Sequence, residues 1–318
     1  MHSVNEILTL LSNNSLLLLM IALLGERYFT LPLHWHPLTL FNLLATYMSA
    51  KVNRDNVQQQ TLAGLLSCVL LLILVLVPLL IFRWAADLPQ LVDLLLLYVA
   101  LLYQPYRHWL ATAAVAIERG HKRRARALMS RLTARDCESL SEPGLVKSWV
   151  ELRWYYALNY RLAPILAWLL GGIALLLVVR VLVQLHHLWP RYIPRYRHFG
   201  QAPAMLTQWL MWLPYQTVNL LLWLTHRDSR WAVADSHGWW LAQARQQQLL
   251  AQRTRSSLGG PLRYRQQRYS RARFNAGRQA DRQLLRQERK MLMYLGRAAT
   301  LVITLLLIFS LVYNQKPW

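Results

Sequence analysis

The stretch Leu62–Phe82, LAGLLSCVLLLILVLVPLLIF, constrains this chain more than any other. It carries no charge and has the roughly 20 residues a helix needs to cross a hydrocarbon core. Backbone groups in lipid must be satisfied internally, so a helix is the form open to it. Pro78, near its end, is tolerable because membrane helices re-satisfy freed backbone groups. A chain built around such a segment is expected to be all-α, a polytopic integral membrane protein with about 4–6 transmembrane helices.

Further apolar runs give a single membrane domain over 1–318, with spans expected at 7–24, 62–82, 88–106, 162–185, 205–224 and 295–313. The first lacks a basic leader and a small-residue cleavage site, so it reads as a retained segment. Residues 38–61 read as an amphipathic helix. The run 162–185 contains Gly171-Gly172, which would let another backbone approach closely. It also contains Arg180, expected to snorkel or pair.

Charge supplies the topology. There are 36 Lys and Arg against 14 Asp and Glu, a formal net charge of +22. Such a balance suits a nucleic-acid binder or a membrane protein with cations gathered on its cytoplasmic side. The apolar runs decide for the membrane, and 14 Trp and 15 Tyr suit headgroup-level anchoring. Two segments, about 107–161 and 226–294, are the most basic and are both placed in the cytoplasm. An even number of crossings must then separate them. Either 162–185 and 205–224 both span, or together they form a hairpin that does not cross. Two spans are preferred here, which leaves Arg191, Arg195 and Arg197 outside.

The stretch Ile117–Tyr160 is the first long piece that must sit in water, and it holds the candidate chemistry. Asp136 and Glu151 are its candidate acids, and the pair could hold one Mg²⁺, with Glu26 as a third group. The blander reading, and the preferred one, pairs Asp136 with Arg135 or another cation and Glu151 with Arg153 or Lys147. His34 and His36 form an HxH pair, and His186-His187 lies beside Trp189; both read as interfacial residues rather than metal ligands. Two cysteines, Cys68 and Cys137, make neither a disulfide framework nor a zinc site. The chain has no GxSxG, P-loop or GxGxxG motif. Segment 226–294, with 15 Lys and Arg against four acids, could bind single-stranded RNA by stacking and charge. Attraction to anionic lipid is the preferred reading, and nucleic acid is not the expected partner.

The run ARALMSRLTARDCESLSEPGLVKSWVE resembles the CobD/CbiB family of adenosylcobinamide-phosphate synthases of cobalamin biosynthesis. In that family a stretch like ARxxLSxLVGRDT is followed by a spaced VES. LLGER near residue 25 and His36-Pro37 look like the family's LLGDP and HPV. Ala163-Pro164 and Gly171-Gly172 look like its AP and GG. RYRHFGQAPAMLTQWLMWLP, HGWW and LGGPLRY look like its RYRxFGxxAARLDDLLNWLP, AGWP and LGGPxxY. The shared order covers nearly the whole chain.

The resemblance implies an ATP-dependent amide ligase, with Mg²⁺, joining a corrinoid carboxylate to aminopropanol or its phosphate. It implies a bacterial cytoplasmic (inner) membrane location, multi-pass, with lipid and a corrinoid or other anionic small molecule as partners. The family's ESxxEN…D keeps its first acid as Glu151. Its later acid, Asn and Asp fall on Tyr155, Tyr156 and Asn159. Its NTLD falls on Val183, Gln184, Leu185 and His186, and its DD and Asn on Thr207, Gln208 and Met211. The Asn of NAG becomes Ser236. Glu151, Asp136 and Glu26 are therefore the candidate catalytic residues. Arg135, Arg119, Asn159, Arg195, Arg197 and His198 are the candidate anion-binding groups. Replacement of the acids leaves an alternative open: a non-catalytic regulatory protein on the same scaffold, like the related AmpE membrane proteins. The run ERYF…HW at 26–35 resembles the AmpE N-terminus.

Overall fold

The computed structural model describes residues 15–29, 31–54, 56–101, 103–191, 193–224, 241–264, 267–269, 273–274, 280–291 and 304. Most of them are helical. In chain order the helices are α1 (Ser15–Tyr28), α2 (Pro37–Val52), α3 (Val57–Ala85), α4 (Pro89–Ala100), α5 (Gln104–Glu118), α6 (Lys122–Ser130), α7 (Glu142–Ala157), α8 (Ala163–Leu188), α9 (Gln201–Leu224) and α10 (Leu241–Thr254). A last helix, α11, covers 282–291. A π turn, Leu158–Leu162, joins α7 to α8.

Local sequence sets the helix starts. His36 caps α2 by accepting from Leu38 N at 3.1 Å, with Pro37 in the first turn. Asn56 caps α3 through Gln58 N and Gln59 N. Ser141 caps α7, accepting from Gly144 N. Each side chain takes a backbone donor that a helix start leaves unpaired.

Among the described residues, two stretches are long and apolar enough to cross a membrane, Val57–Ala85 and Glu142–Leu188. The expected span 62–82 lies inside α3. Only 17% of its most apolar window is buried, and Leu66, Leu70, Ile73, Phe82 and Trp84 face outward. A soluble surface seldom leaves so long an apolar face uncovered, and a lipid-facing helix does so by design. Both stretches fit a membrane protein.

Other expectations need correction. Run 88–106 is not one helix: α4 ends at Ala100 and α5 begins at Gln104. The all-α reading holds except for two short antiparallel ribbons. β1 (Leu258–Gly259) pairs with β4 (Arg273–Phe274), and β2 (Leu262–Tyr264) with β3 (Gln267–Tyr269). Segment 107–161 is folded rather than loop: α5, α6 and α7 bury Leu110, Ala113, Met129, Trp149 and Tyr156 in the main core. The run 205–224 lies within α9. Of the expected span 7–24, residues 15–24 are described and lie in α1, while 295–313 falls outside the described residues except for 304, and 226–240 lies outside them entirely.

The largest correction concerns 162–185. The guanidinium of Arg180 lies 4.5 Å from the ring centroid of Tyr160. On a straight helix, 20 residues would separate them by about 30 Å. The chain therefore doubles back between them. The reversal is at Gly171 (φ −143°, ψ 18°) and Gly172 (φ 59°, ψ −150°), the two residues with non-helical backbone in this stretch. Gly172 sits where a side chain is strained. The glycine pair is thus a turn rather than a helix-packing notch, and 162–185 is a helical hairpin. Its return arm packs against α2 and α3 through Val181, Leu182 and Leu185 on Phe41, Cys68 and Leu71.

Substituting Ala at Gly172 is expected to cost about 1–3 kcal/mol. Thermal unfolding of purified G172A in detergent checks this; an unchanged midpoint would remove the turn's requirement for glycine.

Candidate functional site

The two basic segments meet. Asp136 N–H donates to Arg263 O at 2.9 Å. Glu151 accepts from Gly259 N–H through Oε1 at 3.2 Å. Gly259 (φ 74°) and Gly260 (φ 96°) both adopt left-handed backbone, so the Leu258-Gly259-Gly260-Pro261 turn can aim that N–H at the carboxylate. Further along, Trp154 Nε1 donates to Glu288 Oε2 at 2.8 Å, and Arg282 pairs with Glu142 at 2.6 Å. Arg289 reaches Glu118 at 3.3 Å. Chain 241–291 is thereby fastened onto α5 and α7.

Between them is a shallow cleft lined by Glu151, Trp154, Tyr155, Tyr215, Gln243 and Gln246 among others. Gln246 is 4% exposed, and its Nε2 has no hydrogen-bond partner. The walls combine amide donors and acceptors, one carboxylate and aromatic faces. That set suits a ligand bearing amides or carboxylates.

Behind the cleft lies a tyrosine cluster. Tyr106 stacks on Tyr156 at 4.3 Å between centroids, and Tyr160 lies 4.8 Å from Tyr106 and 5.1 Å from Tyr156. Tyr155 closes the set, 6.4 Å from Tyr160. Tyr156 Oη donates to Leu132 O at 2.7 Å. Arg180 occupies the floor, 3% exposed. It neither snorkels nor forms an ion pair among the described residues, contrary to expectation. This group was legible as an unusual charge in an apolar run, but its neighbours were not, because the reversal that brings them together was not foreseen.

The candidate residues separate. Glu26 is 4% exposed and accepts from Tyr103 N and Gln104 N at 2.7 and 3.0 Å. It thus caps α5, where the helix dipole favours an acid. Burial raises its carboxyl above the ordinary range, against the pull of Arg161 and Arg107. Asp136 Oδ1 accepts from Glu138 N at 3.0 Å, and no cation pairs with it among the described residues. Arg135 instead donates to Ser148 Oγ at 2.7 Å. Asn159, 2% exposed, donates to Tyr155 O across the π turn.

Arg119 is exposed at the end of α5. Arg195, Arg197 and His198 lie in the turn after α8, with both arginines exposed; Arg195 O accepts from Asn53 Nδ2. Among the described residues, no group of three or more His, Cys, Asp or Glu side chains is placed to hold a metal. Glu26, Asp136 and Glu151 therefore do not converge as a shared centre. His36 is a cap: Nδ1 accepts from Leu38 N, so Nε2–H donates to Val99 O at 3.0 Å. Its imidazole is lowered to about 4 by burial and by Arg180. Cys137 is pushed up to about 11 by burial, which keeps it a thiol and unsuited to nucleophilic work.

The family model described as "CobD/Cbib protein" matches residues 19–292. A "Cobalamin biosynthesis protein CobD" of Chromobacterium violaceum is 30% identical over 229 residues, which cover 69% of this chain and 72% of that relative. Proteins of the same description from two serovars of Leptospira interrogans, copenhageni and Lai, are each 25% identical over 192 residues. Those matches cover 59% of this chain and span 61% of the length of the Leptospira relatives. No solved structure matches.

Glu288 generates a pH prediction. Burial pushes its carboxyl up to about 6, with Trp154 and Arg253 pulling the other way. A carboxyl raised on folding binds its proton more tightly when folded, so its contribution is full below the unfolded value near 4.5 and lost as pH rises through 6. The native protein should lose about 2 kcal/mol over that window. E288Q should flatten it, as read by detergent-solubilised unfolding midpoints from pH 4 to 7.

Proposed function

The chain belongs to the CobD/Cbib family, and on that premise we propose that it works in cobalamin biosynthesis, joining a corrinoid carboxylate to aminopropanol or its phosphate. The observation that carries this reading is the match over 19–292. The cleft is consistent with it. A corrinoid periphery is rich in amides and carboxylates, and Gln243, Gln246, Gln247, Trp154 and Tyr155 offer amide and aromatic partners to such a ligand. Glu151, held by Gly259 N–H at the rim, is the proposed general base toward an incoming amine, and Asp136 and Arg135 are proposed to position the substrate.

ATP with Mg²⁺ is the activating pair that the family reaction implies. The described residues do not fit a resident metal centre of their own. Glu151 and Asp136 already accept backbone N–H groups, and Glu26 is committed to α5. Arg119, Arg195, Arg197 and His198 remain proposed contacts for anionic groups.

For topology, we propose a multi-pass protein of the bacterial inner membrane in which 162–188 is re-entrant and 205–224 does not cross, so that no crossing separates the two basic segments. The return arm then brings the Arg191–His198 loop to the same side as 107–161 and 241–291. All three basic stretches share one face without an exception to the cation bias. Cysteines placed at Arg197 and Arg282, in a chain lacking Cys68 and Cys137, should both react with an impermeant maleimide only in inverted vesicles. Labelling from opposite faces would defeat the re-entrant arrangement.

A second reading, binding without turnover, is favoured by Tyr155, Tyr156 and Asn159 standing where the family carries acidic and amide groups. The AmpE-like regulatory reading gains no support from the relatives. Complementation of a strain lacking adenosylcobinamide-phosphate synthase separates the two. Rescue is expected at native expression, with E151Q forming at least about tenfold less corrinoid amide. Failure by a well-expressed, membrane-inserted protein would sink the catalytic reading.

A further inference from the structure

We propose that Arg180 is the binding group for the oxyanion, carboxylate or phosphate, of a small molecule that enters by the cleft beside Glu151. The identity of the cleft as the ligand's entry rests on the functional reading above; the anion site itself rests on geometry. Arg180 is 3% exposed, and none of Nε, Nη1 and Nη2 makes a hydrogen bond of acceptable geometry. Its close contact is the face of Tyr160, 4.5 Å away. The groups acting on it most strongly, Tyr160, Tyr106 and Tyr155, are all neutral phenols, with His36 and His187 also in range. No carboxylate lies within ion-pair distance of it among the described residues.

A guanidinium buried without a counter-charge is strongly destabilising, and a cation–π contact offsets only part of that cost. Functional sites are where such a cost persists. The five N–H donors of Arg form a planar fork that matches a carboxylate or phosphate, giving two parallel charge-assisted bonds. The hydroxyl of Tyr160, on whose ring the guanidinium rests, is buried, makes no hydrogen bond of acceptable geometry, and is a further donor nearby.

The tyrosine cluster stands between this group and the cleft. Tyr155 forms the cleft's inner wall and stands 6.4 Å from Tyr160, on whose ring Arg180 rests. Gln246 Nε2, buried and unpartnered, is a second donor on that wall set. Rotation of the Tyr155 ring would open the cleft to the guanidinium. The ligand's amide-bearing body would rest against Gln243, Gln246 and Trp154, and its anionic end would displace the Tyr155 hydroxyl and meet Arg180.

The test uses the full chain, delipidated in neutral detergent, with thermal unfolding read during titration with inorganic phosphate, acetate or phosphatidylglycerol, and chloride at matched ionic strength as control. Saturable stabilisation by phosphate or acetate over chloride is expected. R180Q should abolish that response, weakening apparent affinity at least about tenfold, while its ligand-free midpoint rises or holds because a buried charge is gone. Y160F, which keeps the ring under the guanidinium, should fold normally and weaken the response severalfold. An equal response in R180Q would overturn the proposal. So would no saturable response in the native chain, or one to phosphatidylglycerol alone. Should R180Q fail to fold, an undiminished response in Y160F and R180K together would overturn it. Failed complementation with an Arg180-dependent anion response would sink the synthase reading and leave this one standing.

Discussion

The reversal of the chain at Gly171-Gly172 is the constraint on which the rest depends. It carries Arg180 from a position some 30 Å along a straight helix onto the face of Tyr160. It also seats Val181, Leu182 and Leu185 against α2 and α3. Without it, the tyrosines of α5 and α7 would have no cation beneath them, and the second core cluster would lack its central arm. A two-residue backbone feature thus sets the depth of a charge within the bundle.

The second dependency runs across the water-facing side. Segments far apart in sequence are joined through directed polar contacts rather than through bulk apolar packing alone: Glu151 with Gly259, Asp136 with Arg263, Trp154 with Glu288, Arg282 with Glu142. The one ion pair among these, Arg282 with Glu142, stabilises little by itself. The Trp154–Glu288 bond is buried at both ends and therefore fixes register more firmly. The cleft is the gap left where α7, α9 and α10 meet under these constraints.

Much of this was legible in the residues. The apolar run 62–82 forced α3, and the motif order pointed to the family. Three things were hidden. Apolar composition alone does not distinguish a straight span from a hairpin, so 162–185 read as one crossing. Glu26 looked like part of an acidic cluster because sequence does not show that Tyr103 N and Gln104 N lie ready for it. The partners assigned to Asp136 by nearest charge were wrong because Ser148 is better placed for Arg135. In each case a non-local contact decided, and spacing carries no information about it.

The bond between Glu151 and Gly259 spans 108 residues. That length has a temporal meaning when the chain is made from its N-terminus. At about 5–20 residues per second, α7 exists for roughly 5–20 s before the turn that closes on it leaves the ribosome. Through that interval Trp154 and the cleft wall lack their cover, while the hairpin that carries Arg180 has already been made. Assembly is therefore vectorial: the helices up to the hairpin are made first, and the cleft wall is covered by the last third of the chain as it arrives.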